Sequence, residues 1–136
     1  MAGSDIVALD ATGRPRLDGL SFAETVKALR EDGTLVMADC GSFEDAQRAV
    51  DAGVDIVSTT LAGYTGDRVK TDGPDLELLR EVVAAFPDVP VICEGRVHTP
   101  EQAAAAIEAG AFAVIVGTAI THPTSITTWF KAAVEG

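Results

Sequence analysis

The sequence predicts an α/β fold of parallel strands: a (β/α)8 (TIM) barrel represented by its last five β/α units. Two observations predict it. Short runs rich in Val and Ile alternate with segments of helical spacing. The pattern also repeats with a period of two strand–helix units.

The strand-like runs, in order, are DIVALDA from Asp5, TLVMADC from Thr34, DIVSTTL from Asp55, VPVICEG from Val89 and AFAVIVG from Ala111. None alternates cleanly, which suits strands buried on both faces. Between them, FAETVKALRED, FEDAQRAVDAG, DLELLREVVAAF and PEQAAAAIEAG place apolar residues at i, i+3, i+4 and i+7. Ser125–Val134 closes the chain as a fifth helix, with Trp129 and Phe130 expected to pack. Ser21 with Glu24, and Thr99 with Gln102, fit capping boxes, the second with Pro100 at the first helical position. Gly53 and Gly110 stand where two helices should stop.

The repeats place AGSDIVALDAT at Ala2, AGVDIVSTTLA at Ala52 and AGAFAVIVGTA at Ala109 in equivalent positions. VMADCGSFEDAQRAVDAG aligns in the same way with VICEGRVHTPEQAAAAIEAG. A doubled strand–helix unit fits a barrel assembled from quarters. The competing architecture, an open doubly wound sheet, usually carries Gly-x-Gly-x-x-Gly after its first strand. That motif is missing here. A closed barrel needs eight strands and roughly 200 residues or more. The expectation is therefore one domain over residues 1–136, the C-terminal part of a barrel lacking its first three units. A short protein completed by another chain is the alternative.

With 10 Lys and Arg against 21 Asp and Glu, the net charge is −11. Such a surface repels nucleic acid and anionic membranes, so neither is expected as a partner. An anionic ligand then needs a local positive pocket. No run of 18 apolar residues suggests a membrane span, and the first residues show no secretory pattern. Cys40 and Cys93 each end an apolar run and are expected to be small, buried, reduced residues of a cytoplasmic protein.

In parallel α/β folds ligands sit at the carboxyl ends of the strands. Those ends carry Asp10 with Thr12, Asp39, Thr59 with Thr60, Glu94 with Arg96, and Gly117 with Thr118. Three carboxylates, an arginine and several hydroxyls suit a small, oxygen-rich ligand such as a sugar. Gly95 and Gly117 allow close approach of backbone amides to a phosphate, and Arg96 would add charge-assisted hydrogen bonds. Beside an apolar run, Glu94 should have a raised pKa, offset by Arg96. It can then exchange protons or orient a hydroxyl. The plainer alternatives are an Arg-paired structural glutamate, and a helix-capping Asp39. His98 is expected in a turn. No metal-ligand spacing is present, and no cofactor is expected.

ALDATGRPR, LVMADCGSFEDAQRAVDAGVDIVSTTLAGYT, PDLELLREV and VICEGRVHTPEQAAAAIEAGAFAVIVGTAIT, with the closing Trp-Phe helix, resemble N-acylglucosamine-6-phosphate 2-epimerase. This family is also called N-acetylmannosamine-6-phosphate 2-epimerase. The resemblance implies a (β/α)8-barrel isomerase of bacterial sialic acid catabolism. It would interconvert N-acetylmannosamine 6-phosphate and N-acetylglucosamine 6-phosphate by proton transfer at C2, without a cofactor. It implies Glu94 and Asp39 as catalytic groups. It also implies that Arg96, Gly95, Gly117 and Thr118 hold the phosphate, with Asp10 on the same rim. The family's catalytic lysine lies on an earlier strand, and none of Lys27, Lys70 and Lys131 matches it. Where the family usually has arginine after Ala-Ile-Thr, this chain has His122, a donor whose charge depends on pH.

Two functions follow. The first is an epimerase subunit, nearly inactive alone and either homo-oligomeric or completed by a partner chain. The second is a non-catalytic sugar-phosphate-binding or assembly module.

Overall fold

Each Val/Ile run does form a strand, and each helical stretch folds back along it. The computed structural model describes residues 3–136. The strands are β1 (Ile6–Asp10), β2 (Leu35–Asp39), β3 (Ile56–Ser58), β4 (Val91–Glu94) and β5 (Ala113–Ile115). The helices are α1 (Phe22–Glu31), α2 (Phe43–Asp51), α3 (Leu76–Ala85), α4 (Pro100–Glu108), α5 (Thr118–Thr121) and α6 (Pro123–Glu135). All four strand pairings are parallel. The spatial order is β1-β2-β3-β4-β5. An order that never reverses, joined by right-handed crossovers, lays successive helices on one side of the sheet. That is the winding of a barrel wall. A doubly wound sheet would reverse its order at a switch point.

Both capping boxes form: Ser21 and Glu24 at α1, and Thr99 and Gln102 at α4. Each satisfies two amides that have no partner within the helix. α2 and α4 stop before Gly53 and Gly110, both left-handed (φ 85° and 101°). The short α5 was not expected. It is a single turn folded on Gly117, whose carbonyl accepts from the Ile120 and Thr121 amides.

The core lies between the sheet and α1–α4. Val36, Ala38, Val57 and Cys93 point from the strands toward Val26, Ala46, Ala49, Leu78, Leu79, Val82 and Ala106, and all are buried. Phe43 and Phe86 stack beside them, with ring centroids 5.8 Å apart. Cys40 and Cys93 are buried free thiols of this layer. Burial pushes both thiols above their ordinary pKa, Cys40 the further.

Two expectations fail. The strands are not all buried on both faces. β4 is, through Val91, Ile92 and Cys93, but Ile6, Leu35 and Ile115 on β1, β2 and β5 remain 47%, 46% and 39% exposed on the face opposite the helices. α6 buries none of its residues. Trp129 rests against the His98 ring at 4.8 Å, but Phe130 stays exposed and is not a packing residue here.

Candidate active site

Register decides which strand-end side chains meet. Asp10 lies opposite Asp39, Asp39 opposite Ser58, and Glu94 opposite Ile115. Partners in register share a face of the sheet. These residues therefore stand on the face turned away from the helices, at its carboxyl end.

Thr60, just beyond β3, binds the acids together. Its Oγ1 is 2.8 Å from Glu94 Oε2 and 3.1 Å from Asp39 Oδ1. Ser58 Oγ completes the group, 2.6 Å from Thr60 Oγ1 and 3.3 Å from Glu94 Oε2. Thr59 faces the other way. Its hydroxyl donates to the Glu94 carbonyl at 3.0 Å and accepts from the Glu94 amide, joining β3 to β4. Of the adjacent Thr59 and Thr60, only Thr60 touches the Asp39 and Glu94 carboxyls, because strand side chains alternate between faces. Ser58 was overlooked; the signal that could have found it is a polar residue directly after Ile56-Val57 in a strand-like run, and the structure buries it completely.

Burial pushes the Asp39 carboxyl above its ordinary pKa. The Thr60 hydroxyl opposes that rise, while the neighbouring charges of Glu94 and Asp10 add to it. Asp39 is not a helix cap: Ser42 caps α2, and Asp45 accepts from the Gly41 amide there. At Asp10, burial would raise the pKa. The Thr12 hydroxyl and amide, with Arg14 2.5 Å away, outweigh burial and hold Asp10 below its ordinary value.

Glu-Gly-Arg closes β4 with two left-handed residues in succession, Gly95 at φ 98° and Arg96 at φ 57°. A Cβ on Gly95 would press to 3.2 Å from the Thr60 carbonyl, so glycine serves both the turn and the close approach. Arg96 takes a backbone conformation costing about 1–2 kcal/mol for a residue with a Cβ. The turn carries its guanidinium away from Glu94 and into the β3–α3 loop. There Nε donates to Gly73 O (3.0 Å), Nη1 to Ala62 O (2.6 Å) and Nη2 to Thr71 Oγ1 (3.1 Å). It also lies 5.1 Å from the Tyr64 ring centroid. The expected Arg96–Glu94 ion pair is therefore not formed. Three of five guanidinium donors are committed to the loop, leaving two for any phosphate.

A cleft of about 380 Å³ brings together Thr60, Glu94, Gly95, Arg96, Gly117 and Thr118. Within α5 the first ladder donors are Ile120 and Thr121, so the Thr118 and Ala119 amides stay outside the helical ladder. His122 does not point a free ring into this cleft. It caps α6, with Nδ1 accepting from the Ser125 amide at 3.3 Å and lying 2.8 Å from Ser125 Oγ. Lys27 and Lys131 are exposed on α1 and α6, and Lys70 lies over the Tyr64 ring. A roomier cleft of about 550 Å³, lined by Arg14, Arg16, Phe22 and Arg48, contains neither Asp39 nor Glu94. Its arginines already pair with Asp10, Asp18 and Asp45.

Together these features define one wall of a (β/α)8-barrel with an acid and hydroxyl cluster at the carboxyl end of its strands. Comparison narrows the class. The family model described as "Putative N-acetylmannosamine-6-phosphate epimerase" matches residues 1–136, and the chain belongs to that family. A Cutibacterium acnes protein named "Putative N-acetylmannosamine-6-phosphate 2-epimerase" is 59% identical over 98% of this chain and 59% of its own length. A Corynebacterium glutamicum protein of the same name is 50% identical over 96% of this chain and 56% of its own length. The solved N-acetylmannosamine-6-phosphate 2-epimerase from Clostridium perfringens superposes with a TM-score of 0.92 at 42% identity. That match covers 96% of this chain and 57% of the other. The chain thus spans a little over half the length of these relatives. Thiamine phosphate pyrophosphorylase from Pyrococcus furiosus matches at TM-score 0.63 and 19% identity over 97% of this chain and 60% of its own, a likeness of fold alone.

Proposed function

We propose that this chain supplies the acid-bearing and phosphate-facing part of an N-acetylmannosamine-6-phosphate 2-epimerase site. One observation carries the proposal: Glu94 and Asp39 converge on Thr60, and Glu94 and Thr60 line the cleft that also holds Gly95, Arg96, Gly117 and Thr118. The names of the relatives support the substrate class. In the reaction, the C2 proton of the open-chain sugar goes to a base. The C–H electron pair moves into the C1 carbonyl as an enolate, and a proton returns to C2 from the other face. Glu94 and Asp39 orient the sugar and exchange protons with it. The Gly95 and Gly117 turns, the Thr118 amide and the two uncommitted Arg96 donors face the phosphate, and Asp10 lies on the same rim. His122, tied to Ser125 and outside the lining of the cleft, is not assigned to the phosphate. The proton-transferring lysine comes from outside residues 3–136, either from further barrel units or from a partner chain.

The test is fragment complementation. The chain is mixed with the portion of the Cutibacterium acnes relative that it does not span, and C2 hydrogen exchange of N-acetylmannosamine 6-phosphate is followed in D2O. Exchange should appear in the mixture and be nearly absent from either part. Glu94→Gln should lower it by roughly 100-fold or more, the usual scale of a lost acid–base group. Equal exchange with Glu94→Gln, or full activity of this chain alone, overturns the proposal.

A further inference from the structure

The chemistry at C2 fixes where the nitrogen substituent of the sugar lies. An N-acyl group hangs from C2, the carbon that exchanges its proton beside Glu94 and Asp39. A trans amide places the carbon beyond its carbonyl about 3.8 Å from C2, the spacing of successive Cα atoms. The acyl group therefore needs an apolar seat next to the acids, away from the phosphate turns.

The cleft offers one. Its volume of about 380 Å³ falls within the range of small-molecule sites. Beside the acid, the glycines and Arg96, four apolar side chains line it: Leu61, Tyr64, Val97 and Ile115. Val97 is buried and presents little surface, whereas Tyr64 and Ile115 are exposed. Ile115 stands opposite Glu94 in register, one strand spacing of about 4.8 Å away on the same face of the sheet. Tyr64 reaches the cleft from the β3–α3 loop. Its ring is fixed between cations, 5.1 Å from Arg96 Cζ and 5.2 Å from Lys70 Nζ. A strand added beyond β5 would widen this seat without parting Ile115 from Glu94, because register holds those two together.

We infer that Ile115 and Tyr64 seat the N-acyl group and set which acyl chain the site accepts. The inference rests on the proposed function, which puts C2 at the acids. One further buried CH2 is worth roughly a fourfold gain in affinity. The polar rim acts alike on every acyl chain, so the gain per carbon isolates the apolar seat.

The test titrates the 136-residue chain with three open-chain, unreactive hexitol phosphates and follows amide shifts by NMR. The ligands are glucitol 6-phosphate, N-formylglucosaminitol 6-phosphate and N-acetylglucosaminitol 6-phosphate. In the unmodified chain the N-acetyl compound should bind roughly fourfold tighter than the N-formyl one. Ile115→Ala and Tyr64→Ala should each bring that ratio toward one and leave the affinity for glucitol 6-phosphate unchanged. Tyr64→Phe should keep the ratio. A ratio of one in the unmodified chain, or an unchanged ratio in either alanine variant, overturns the inference; glucitol 6-phosphate that still binds leaves the proposed function standing. Equal weakening of all three ligands marks a structural role and overturns the inference as well. If the unmodified chain binds none of the three, kcat/KM for N-formylmannosamine 6-phosphate and N-acetylmannosamine 6-phosphate in the complementation mixture takes the place of the affinities. An inactive mixture then overturns the proposed function, and the inference with it.

Discussion

Arg96 spends its side chain on the backbone of a neighbouring loop. Three donors and a ring contact join the turn after β4 to residues 62–73. The loop needs such an anchor, because it connects β3 to α3 with no regular structure of its own. The anchor also holds the loop against the cleft. Arg96→Ala should raise amide hydrogen exchange across residues 61–73 by roughly tenfold, equivalent to losing one or two net hydrogen bonds. Exchange in β2 should be unchanged. Arg96→Lys should behave like the alanine variant, since an ammonium cannot span both carbonyls with a planar fork. Unchanged loop protection in both variants would show that the loop is held by other contacts.

At the scale of the element, α3 depends on one buried acid. Asp75 caps the helix through the Leu78 amide at 2.9 Å and takes Arg68 Nε at 2.6 Å and Nη2 at 3.1 Å. Burial would raise its pKa, but Arg68 and the Leu78 amide outweigh burial and hold it below the ordinary carboxylate value. The sign follows from linkage. A group whose folded pKa is depressed contributes stability above its unfolded value and loses it as pH falls through the folded one. Asp75→Ala should therefore cost about 2–3 kcal/mol at neutral pH, from a lost cap and an Arg68 left with only the more exposed Glu77 and Glu81. The difference between variant and parent should shrink below about pH 4, where the parent carboxylate also protonates. Urea unfolding at pH 7 and pH 3 measures both values. An equal deficit at the two pH values would show that the charge of Asp75 is not what stabilises α3.

At the scale of the whole molecule, the sheet face opposite the helices is open toward both edges. Ile6, Leu35 and Ile115 are exposed on the side opposite the helices, and β1 and β5 each present an unpaired edge among the described residues. Unpaired edges and exposed apolar patches favour association. Sedimentation of the isolated chain should show concentration-dependent oligomers, and the paired substitution Leu35→Lys with Ile115→Lys should move them toward monomer. A clean monomer at high concentration would contradict this.

Period and punctuation alone determined most of the secondary structure and the winding. Val/Ile runs, capping boxes at Ser21 and Thr99, and stops at Gly53 and Gly110 are local signals, and local signals survive without tertiary contacts. The rim positions were legible for the same reason, since each acid ends an apolar run. What the acids touch was not legible. Whether Arg96 faces Glu94 or the loop depends on a left-handed backbone at residue 96, which nothing in the residue type announces. Nδ1 of His122 serves as a helix cap because α5 turns the chain before α6 begins. Thr60 joins Asp39 to Glu94 because register sets three strands to one level, and register is a property of the assembled sheet. Sequence decided which groups reach the rim, because periodicity is local. Tertiary structure decided which of them meet at one hydroxyl and which hold a loop, because those contacts join residues more than 20 positions apart.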